Sequence, residues 1–382
     1  MKNWKILSLA LSCCMWLSAS ADNWMSRLSD DTYVMQMSIP GTHDAATGEG
    51  FTWGEFADAF GRTQDLTLAE QWAAGVRAFD LRPAVSTNDD GQDNLVIYHG
   101  ILETNIRFAD ALQLLCDSLD ANPSETAIVI MRFENDNGGS RTTWNQLMSE
   151  LLNSDGMKER IVDFKPRLTL GEMRGKLLVA SRDNYASTPV GAFITGWSHD
   201  AGFDKQKNGR IKGITNSSTL YVQDFYELTE AAALDKKVNA LKTMLDFTVT
   251  LHKRKQLNNV WIVNHCSGYT QSASIEGIRE CAATTNKYVA DYLADESHWG
   301  PTGIVMMDFA GTDRSGDSDV MGQALVNAII ENNFRYEPKT SGIENIVTTH
   351  SHQAYNLQGQ ALPYPSNCRG IIIKDGKKLL TE

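Results

Sequence analysis

The chain has 382 residues, 42% of them hydrophobic and 21% charged, with a formal net charge of −12. That size suits one large globular domain or two smaller ones. The acidity argues against nucleic acid as a partner and against simple electrostatic adhesion to an anionic membrane.

The N-terminus reads as a targeting segment. Lys2 and Lys5 supply a positive end, Ile6 to Leu17 is apolar, and Ala19-Ser20-Ala21 offers small residues for cleavage. Cleavage before Asp22 removes two lysines and takes the formal charge from −12 to −14. A lipoprotein site at Ala10-Leu11-Ser12-Cys13 is the second reading. No later segment is apolar enough to span a bilayer. Cys13 and Cys14 leave with the leader. Cys116, Cys266, Cys281 and Cys368 remain, too irregularly spaced for a disulfide scaffold or a zinc site. Cys116 lies in a helical pattern and reads as a small buried apolar residue.

Eight β-type runs follow, each ending in polar residues. The first, Tyr33 to Ile39, leads into Pro40-Gly41-Thr42-His43-Asp44; the second, Val76 to Leu81, ends at Arg82; the third, Leu95 to Tyr98, ends at His99. Ala127–Met131 leads to Arg132 and Glu134, Leu177–Ala180 to Arg182, and Leu220–Gln223 to Asp224 and Tyr226. Val260–Val263 leads to Asn264 and His265, and Gly303–Met307 to Asp308. Near-continuous apolar runs are what buried parallel strands require. Helical spacing of apolar residues appears over 106–119, 142–152, 228–251, 275–293 and 320–330. Strands alternating with helices predict an α/β fold, an irregular (β/α)8 TIM-type barrel with its site at the C-terminal strand ends. The stretch Ser86 to Asn94 is too short and polar for a helix and reads as a loop.

Between the first two runs lie Phe51, Trp53, Phe56 and Phe60. They read either as a core-facing helix stripe or as a rim that enters a lipid interface. Arg335 to Glu382 lacks a helical pattern. Asp375-Gly376 between β-prone flanks signals a hairpin, so a small β appendage is expected after a linker near Glu337 to Gly342. The expected domains are a signal peptide at 1–21, the barrel at 22–336 and a β-rich C-terminal region at 337–382.

Two histidines can serve as general base and general acid near neutral pH, and an arginine between them is a forked cation for phosphate. In their order, these motifs resemble the bacterial phosphatidylinositol-specific phospholipases C of the X-domain type. Ser38-Ile39-Pro40-Gly41-Thr42-His43-Asp44 is similar to that family's first motif, Phe79-Asp80-Leu81-Arg82 to its second, Tyr98-His99-Gly100 to its third, and Val222-Gln223-Asp224-Phe225-Tyr226 to its inositol-binding strand. The resemblance spans roughly residues 26 to 335. It implies His43 as the base that deprotonates the inositol 2-hydroxyl, and His99, assisted by Asp44, as the acid for the diacylglycerol oxygen. It makes Arg82 the stabiliser of phosphoryl charge and Asp308 the group that orients His43. It further implies that Asp80, Arg132, Glu134, Arg182, Asp224 and Tyr226 bind the headgroup. Arg132 stands where a lysine is expected, and Pro83 where a glycine is. Arg82 occupies the place where the family's metal-dependent branch has calcium, so neither metal nor cofactor is expected.

The same resemblance favours a membrane-touching rim at Phe51, Trp53, Phe56 and Phe60. The implied partner is an inositol phospholipid or a glycosylated inositol-lipid anchor, met in transient contact with a membrane surface by a monomer that binds no nucleic acid. The C-terminal patterns Tyr355-Asn356-Leu357-Gln358-Gly359-Gln360 and Gly370 to Lys378 resemble Bacteroidota sorting domains. That implies export to the cell surface or medium, with the periplasm as the alternative. Two other functions fit the sequence less well. A glycerophosphodiester phosphodiesterase calls for His-Arg-Gly on the first strand and a carboxylate metal cluster, neither of which the sequence shows. A non-catalytic inositol-lipid binding module would lose His43 or His99, and both are present.

Overall fold

The computed structural model describes residues 21–134, 140–270 and 274–336, and the backbone of four short strands beyond residue 353. The leader at 1–20, Cys368 and the 337–342 linker lie outside the described residues. The chain divides into two units, Met1–Lys339 and Thr340–Glu382.

In the first unit the strands are β1 (Ser38–Thr42), β2 (Ala78–Leu81), β3 (Pro83–Thr87), β4 (Asp93–His99), β5 (Leu102–Arg107), β6 (Ala127–Met131), β7 (Leu177–Ser181), β8 (Ala192–Thr195), β9 (Gly209–Lys212), β10 (Ser217–Gln223), β11 (Glu227–Leu228), β12 (Val260–His265), β13 (Tyr269–Thr270) and β14 (Gly303–Met307). Nine of them close a barrel in the order β1-β14-β12-β10-β9-β8-β7-β6-β2. The apolar runs of β1, β2, β6, β7 and β14 are buried along their whole length, as strands covered on both faces must be. Helices at Phe108–Ala121, Arg141–Asn153, Ala233–Lys253, Ile275–Ala294 and Gly322–Asn332 fall close to the predicted ones. Phe108, Ala111, Leu112, Leu115, Cys116 and Leu119 form the buried stripe of the first of these, and burial pushes the Cys116 thiol up.

The predicted α/β barrel is present, with two differences in its strands. The run ending at His99 is not a barrel strand: β4 joins β3 and β5 in a separate antiparallel sheet. The cause is visible at Arg82 and Pro83. Past Arg82 the chain leaves the β2 ladder and starts β3, and Pro83 has no N–H to give to a barrel neighbour. The expected loop at 86–94 is accordingly the end of a β3–β4 hairpin, with Thr87 opposite Asp93. Two barrel strands escaped the apolar-run reading. β8 and β9 have four residues each, pair antiparallel, and β9 alternates buried with exposed positions. Gly209 lets their backbones meet, since a Cβ there would lie 2.2 Å from the carbonyl oxygen of Thr195.

The N-terminal strand ends are closed by residues 21–27. Trp24 and Met25 are fully buried. Trp24 Nε1 donates to the Gly75 carbonyl at 3.0 Å, and the Met25 N–H donates to Glu125. Glu125 also meets Arg77 at 3.0 Å, both side chains being wholly buried, and Arg77 donates to the carbonyls of Trp72 and Val76. Cys116, Cys266 and Cys281 are free thiols. In the second unit, β15 (Ala354–Tyr355), β16 (Ala361–Leu362), β17 (Gly370–Lys374) and β18 (Lys377–Thr381) form an antiparallel sheet in which Lys374 is opposite Lys377. No helix among the described residues is long and apolar enough to cross a membrane.

Removing one partner of a buried ion pair strands the other. Glu125→Ala should therefore cost about 3–5 kcal/mol, read as a lower chemical denaturation midpoint. An unchanged midpoint would show that Arg77 needs no counter-ion.

Candidate active site

The C-terminal ends of β1 and β14 are held side by side: Thr42 is opposite Met307, and the His43 N–H donates to the Met307 carbonyl at 3.1 Å. The next residues, His43 and Asp308, therefore meet, with Nδ1 of His43 2.9 Å from Asp308 Oδ1. Gln64, fully buried and not marked by any sequence motif, locks the junction. Its amide nitrogen donates to the carbonyls of His43 and Met307, each at 2.9 Å, and its oxygen accepts from Ala310 N–H. The Thr63 hydroxyl donates to the carbonyls of His43 and Asp44.

After β1 the backbone turns at Asp44 into the left-handed region, φ 43° and ψ 51°. Asp tolerates this conformation better than most residues. The turn places its buried carboxylate at the centre of the site. Oδ2 lies 3.1 Å from His43 Nε2 and 3.4 Å from His99 Nε2, while Oδ1 lies 2.9 Å from Arg82 Nε. Arg82 also reaches Asp80 Oδ2 at 2.8 Å and approaches Glu134 at 3.9 Å. Burial works against charging the guanidinium, but these three carboxylates prevail and raise its pKa. Burial likewise opposes ionisation of Asp80, yet Arg82 and His43 hold it well below the usual carboxylate range.

His99 arrives from β4, which is tied to the barrel by the Tyr98 N–H donating to the Arg82 carbonyl. Its Nδ1 is 2.8 Å from the Gly61 carbonyl. A carbonyl only accepts, so Nδ1 carries a proton and Nε2 is the exchangeable nitrogen facing Asp44. Both nitrogens of His43 face carboxylates. Burial pulls its pKa down, but Asp44 and Asp308 outweigh burial and push it up to about 9. His265, at the end of β12, has its ring 5.9 Å from that of His43 and is kept neutral by burial, which takes it to about 3.

These groups open on a cavity of about 260 Å³ lined by His43, Arg82, His99 and Asp308 on one side and by Arg132, Glu134, Arg182, Asp224 and Tyr226 on the other. Nine of the eleven predicted catalytic and headgroup residues thus share one hollow. Asp44 and Asp80 lie beneath it. Asp80 is 2% exposed and holds Arg82 and the Asp44 N–H, so its place is under the arginine and not against a ligand. His199, Gly268 and Tyr269 line the cavity too and were not predicted. The signal that could have found His199 is the polar stretch after Trp197, which follows a strand too short to register as an apolar run.

Of the four predicted rim aromatics, Phe51 is 4% exposed and packs with Ala57 and Leu102, so it belongs to the core. Trp53, Phe56 and Phe60 are 54%, 66% and 50% exposed, and Ile101 beside His99 is 56% exposed. Phe56 and Phe60 sit on the short helix Glu55–Gly61, whose last carbonyl holds His99.

One donor atom from each of His43, Asp44 and Asp80 lies within 4.8 Å of the others, a spacing that could hold a metal ion. The guanidinium of Arg82 already reaches into both carboxylates and supplies a permanent positive charge there.

Fold and site together define an α/β barrel whose mouth brings two imidazoles and a guanidinium onto one buried carboxylate. Comparison with known proteins sharpens this. Residues 37–183 match the family model for the phosphatidylinositol-specific phospholipase C X domain. A 1-phosphatidylinositol phosphodiesterase of Staphylococcus aureus is 27% identical over 318 residues, covering 81% of this chain and 95% of that protein. The enzyme of the same name from Listeria monocytogenes is 27% identical over 297 residues, 76% and 82% respectively. A solved structure of the S. aureus phosphatidylinositol-specific phospholipase C, from work on its membrane binding, superposes with a TM-score of 0.66 at 24% identity, covering 82% of this chain and 98% of that one. The Listeria enzyme's structure gives 0.60 at 24% identity, covering 82% and 99%. Residues 37–183 are thus similar to the X domain of phosphatidylinositol-specific phospholipases C, and most of the chain is similar to these two phosphodiesterases.

The raised pKa of His43 has a consequence for stability. A group whose pKa is higher folded than unfolded stabilises the fold fully below its unfolded pKa and loses that contribution as pH rises through the folded one. The wild type should thus lose denaturation midpoint between about pH 6.5 and 9 more steeply than His43→Asn. Parallel profiles would show that the carboxylates do not hold the proton on His43.

Proposed function

We propose that this chain is a metal-independent phosphatidylinositol-specific phospholipase C that releases diacylglycerol and inositol 1,2-cyclic phosphate. The observation that carries the reading is the convergence of His43, His99 and Arg82 on one buried carboxylate, with the two imidazole rings 6.4 Å apart. That gap suits a phosphodiester lying between a base and an acid.

His43 takes the proton of the inositol 2-hydroxyl. The oxygen attacks phosphorus within the same molecule and closes a five-membered cyclic diester, a step that gains from proximity. The bond from phosphorus to the diacylglycerol oxygen breaks, and Nε2 of His99 protonates that oxygen. Arg82 stabilises charge growing on the phosphoryl oxygens. Asp308 holds the Nδ1–H of His43 and so aims Nε2 at the hydroxyl. In the resting site His43 carries a proton, so its base form gains ground toward alkaline pH. Arg132, Glu134, Arg182, Asp224 and Tyr226 offer charged groups to the ring hydroxyls and an aromatic face to its apolar side.

Phosphorus NMR of the products from phosphatidylinositol tests this reading, with a cyclic phosphate expected. His43→Ala or His99→Ala should each cost on the order of 10²–10⁴ in rate. A linear phosphate as first product would overturn the mechanism.

Arg82 stands in for a cation, so activity should survive excess EDTA. Arg82→Lys should be severely impaired, since a point charge cannot reproduce contacts to both Asp44 and Asp80. Loss on chelation with recovery on adding calcium would assign the charge to a metal instead.

The lipid surface is met by Trp53, Phe56, Phe60 and Ile101, which are exposed next to the acid. The net charge of −12 leaves apolar insertion as the source of affinity. Trp53→Ala should weaken vesicle binding about 10–100-fold while sparing hydrolysis of soluble inositol 1,2-cyclic phosphate. Equal losses on both would make Trp53 a packing residue. Export fits this role: cleavage before Asp22 leaves a chain that starts just ahead of Trp24 and Met25, which the barrel buries. The C-terminal sheet, with its likeness to sorting domains, fits a surface destination.

A further inference from the structure

The connection between β8 and β9, residues 196–208, departs from the alternation of strand and helix and brings two side chains to the pocket. Trp197 Nε1 donates to Asp224 Oδ2 at 2.8 Å, and its ring lies 4.1 Å from the guanidinium carbon of Arg182. His199 spans the same two groups. Its Nδ1 is 3.0 Å from Asp224 Oδ2 and its Nε2 is 3.1 Å from Arg182 Nη2.

The chemistry of the partners fixes the form of the ring. A guanidinium only donates and an ionised carboxylate only accepts. Although burial opposes it, Asp224 is held ionised, well below the usual carboxylate range, with hydrogen bonds from His199 and Trp197 supporting the charge. His199 satisfies both neighbours in one state alone: neutral, with its hydrogen on Nδ1 and its lone pair on Nε2. A second proton would set N–H against N–H and place two cations 3.1 Å apart.

Arg182 is unlike the other guanidiniums of the pocket. Arg82 and Arg132 are paired with carboxylates, whereas no ion pair within 4.0 Å among the described residues includes Arg182. Burial draws its pKa down to about 10. Its aim depends on the Trp197 ring and on an imidazole that is 41% exposed and open to protons from solvent.

We propose that His199 is a positioning residue that couples headgroup affinity to proton concentration: neutral, it aims Arg182 at the inositol ring, and protonated, it repels Arg182 from that position. The inference rests on the phospholipase reading above. The groups that face His199 are Arg182 at the end of β7, Asp224 and Tyr226 after β10, and Asp200 in its own connection. Glu227, Glu230 and Lys236 surround an adjoining hollow of about 400 Å³ that His199 also lines. His265 lies behind Asp224 at 3.6 Å and is neutral through burial. Proton uptake at His199 therefore changes the sign of one contact, the one to Arg182.

The test measures binding of myo-inositol by calorimetry from pH 5 to 8, alongside KM and kcat on soluble inositol 1,2-cyclic phosphate, for wild type, His199→Gln and His199→Phe. Glutamine carries an acceptor and a donor and does not titrate. Wild-type binding should weaken about tenfold or more on the acid side, the scale of one lost hydrogen bond to a charged group. His199→Gln should bind with much the wild-type neutral-pH affinity and lose the acid dependence. His199→Phe should bind weakly throughout, with the change in KM exceeding that in kcat. Nitrogen-15 NMR of the wild type at neutral pH should show a protonated Nδ1 and a bare Nε2 at His199. An acid limb that persists in His199→Gln, tight neutral-pH binding by His199→Phe, or a bare Nδ1 would each overturn the inference. The phospholipase reading fails separately, if the wild type releases no cyclic phosphate.

Discussion

Everything at the barrel mouth depends on the carboxylate of Asp44. It is buried, and it meets two imidazoles and a guanidinium at once, through Oδ2 to His43 and His99 and through Oδ1 to Arg82. A buried anion is costly unless it is paired and hydrogen-bonded. The same cost makes the arrangement specific, because no one of the four groups can move without stranding another. The left-handed turn at Asp44 is the local strain that this network sustains.

Behind the network, buried polar groups fix the distances. Gln64 crosses from β1 to β14 and determines that His43 and Asp308 end at the same height. Asp80 props Arg82 from below. At the opposite end, Glu125 ties the N-terminal segment to Arg77 and closes the barrel. The groups proposed to react thus ride on strand ends whose registers are fixed by buried hydrogen bonds, which is the rigidity that acid–base geometry needs.

The proposed acid stands on different ground from the proposed base. His99 sits in the small antiparallel sheet, is bonded to the last turn of the Glu55–Gly61 helix, and neighbours Ile101. Trp53, Phe56 and Phe60 project from the same region. Gly61 makes the close approach possible, since a Cβ there would lie 2.5 Å from Leu102 and 3.5 Å from the His99 ring. The surface proposed to insert into lipid and the group proposed to protonate the leaving oxygen are therefore parts of one local structure.

Much of this could be read from the chain alone. Apolar runs with polar ends gave β1, β2, β6, β7, β10, β12 and β14, because burial on both faces leaves a signature in adjacent residues, and the motifs around His43, Arg82 and His99 picked out groups that the fold brings together at Asp44. Local pattern could not decide where each run goes. The His99 run is as apolar as a barrel strand, yet it pairs outside the barrel, because the choice of partner is made by Pro83 and by residues far along the chain. Nor could it tell Phe51, turned into the core against Leu102, from Phe56, turned out, since both fit one stripe. β8 and β9 were missed because strands of four residues are too short to stand out as a pattern. With them went His199, whose significance lies in standing between Arg182 and Asp224, residues 17 and 25 positions away. Composition and periodicity are properties of neighbours in sequence. Charge pairing, tautomer and strand partnership are properties of neighbours in space, and only the closed barrel decides those.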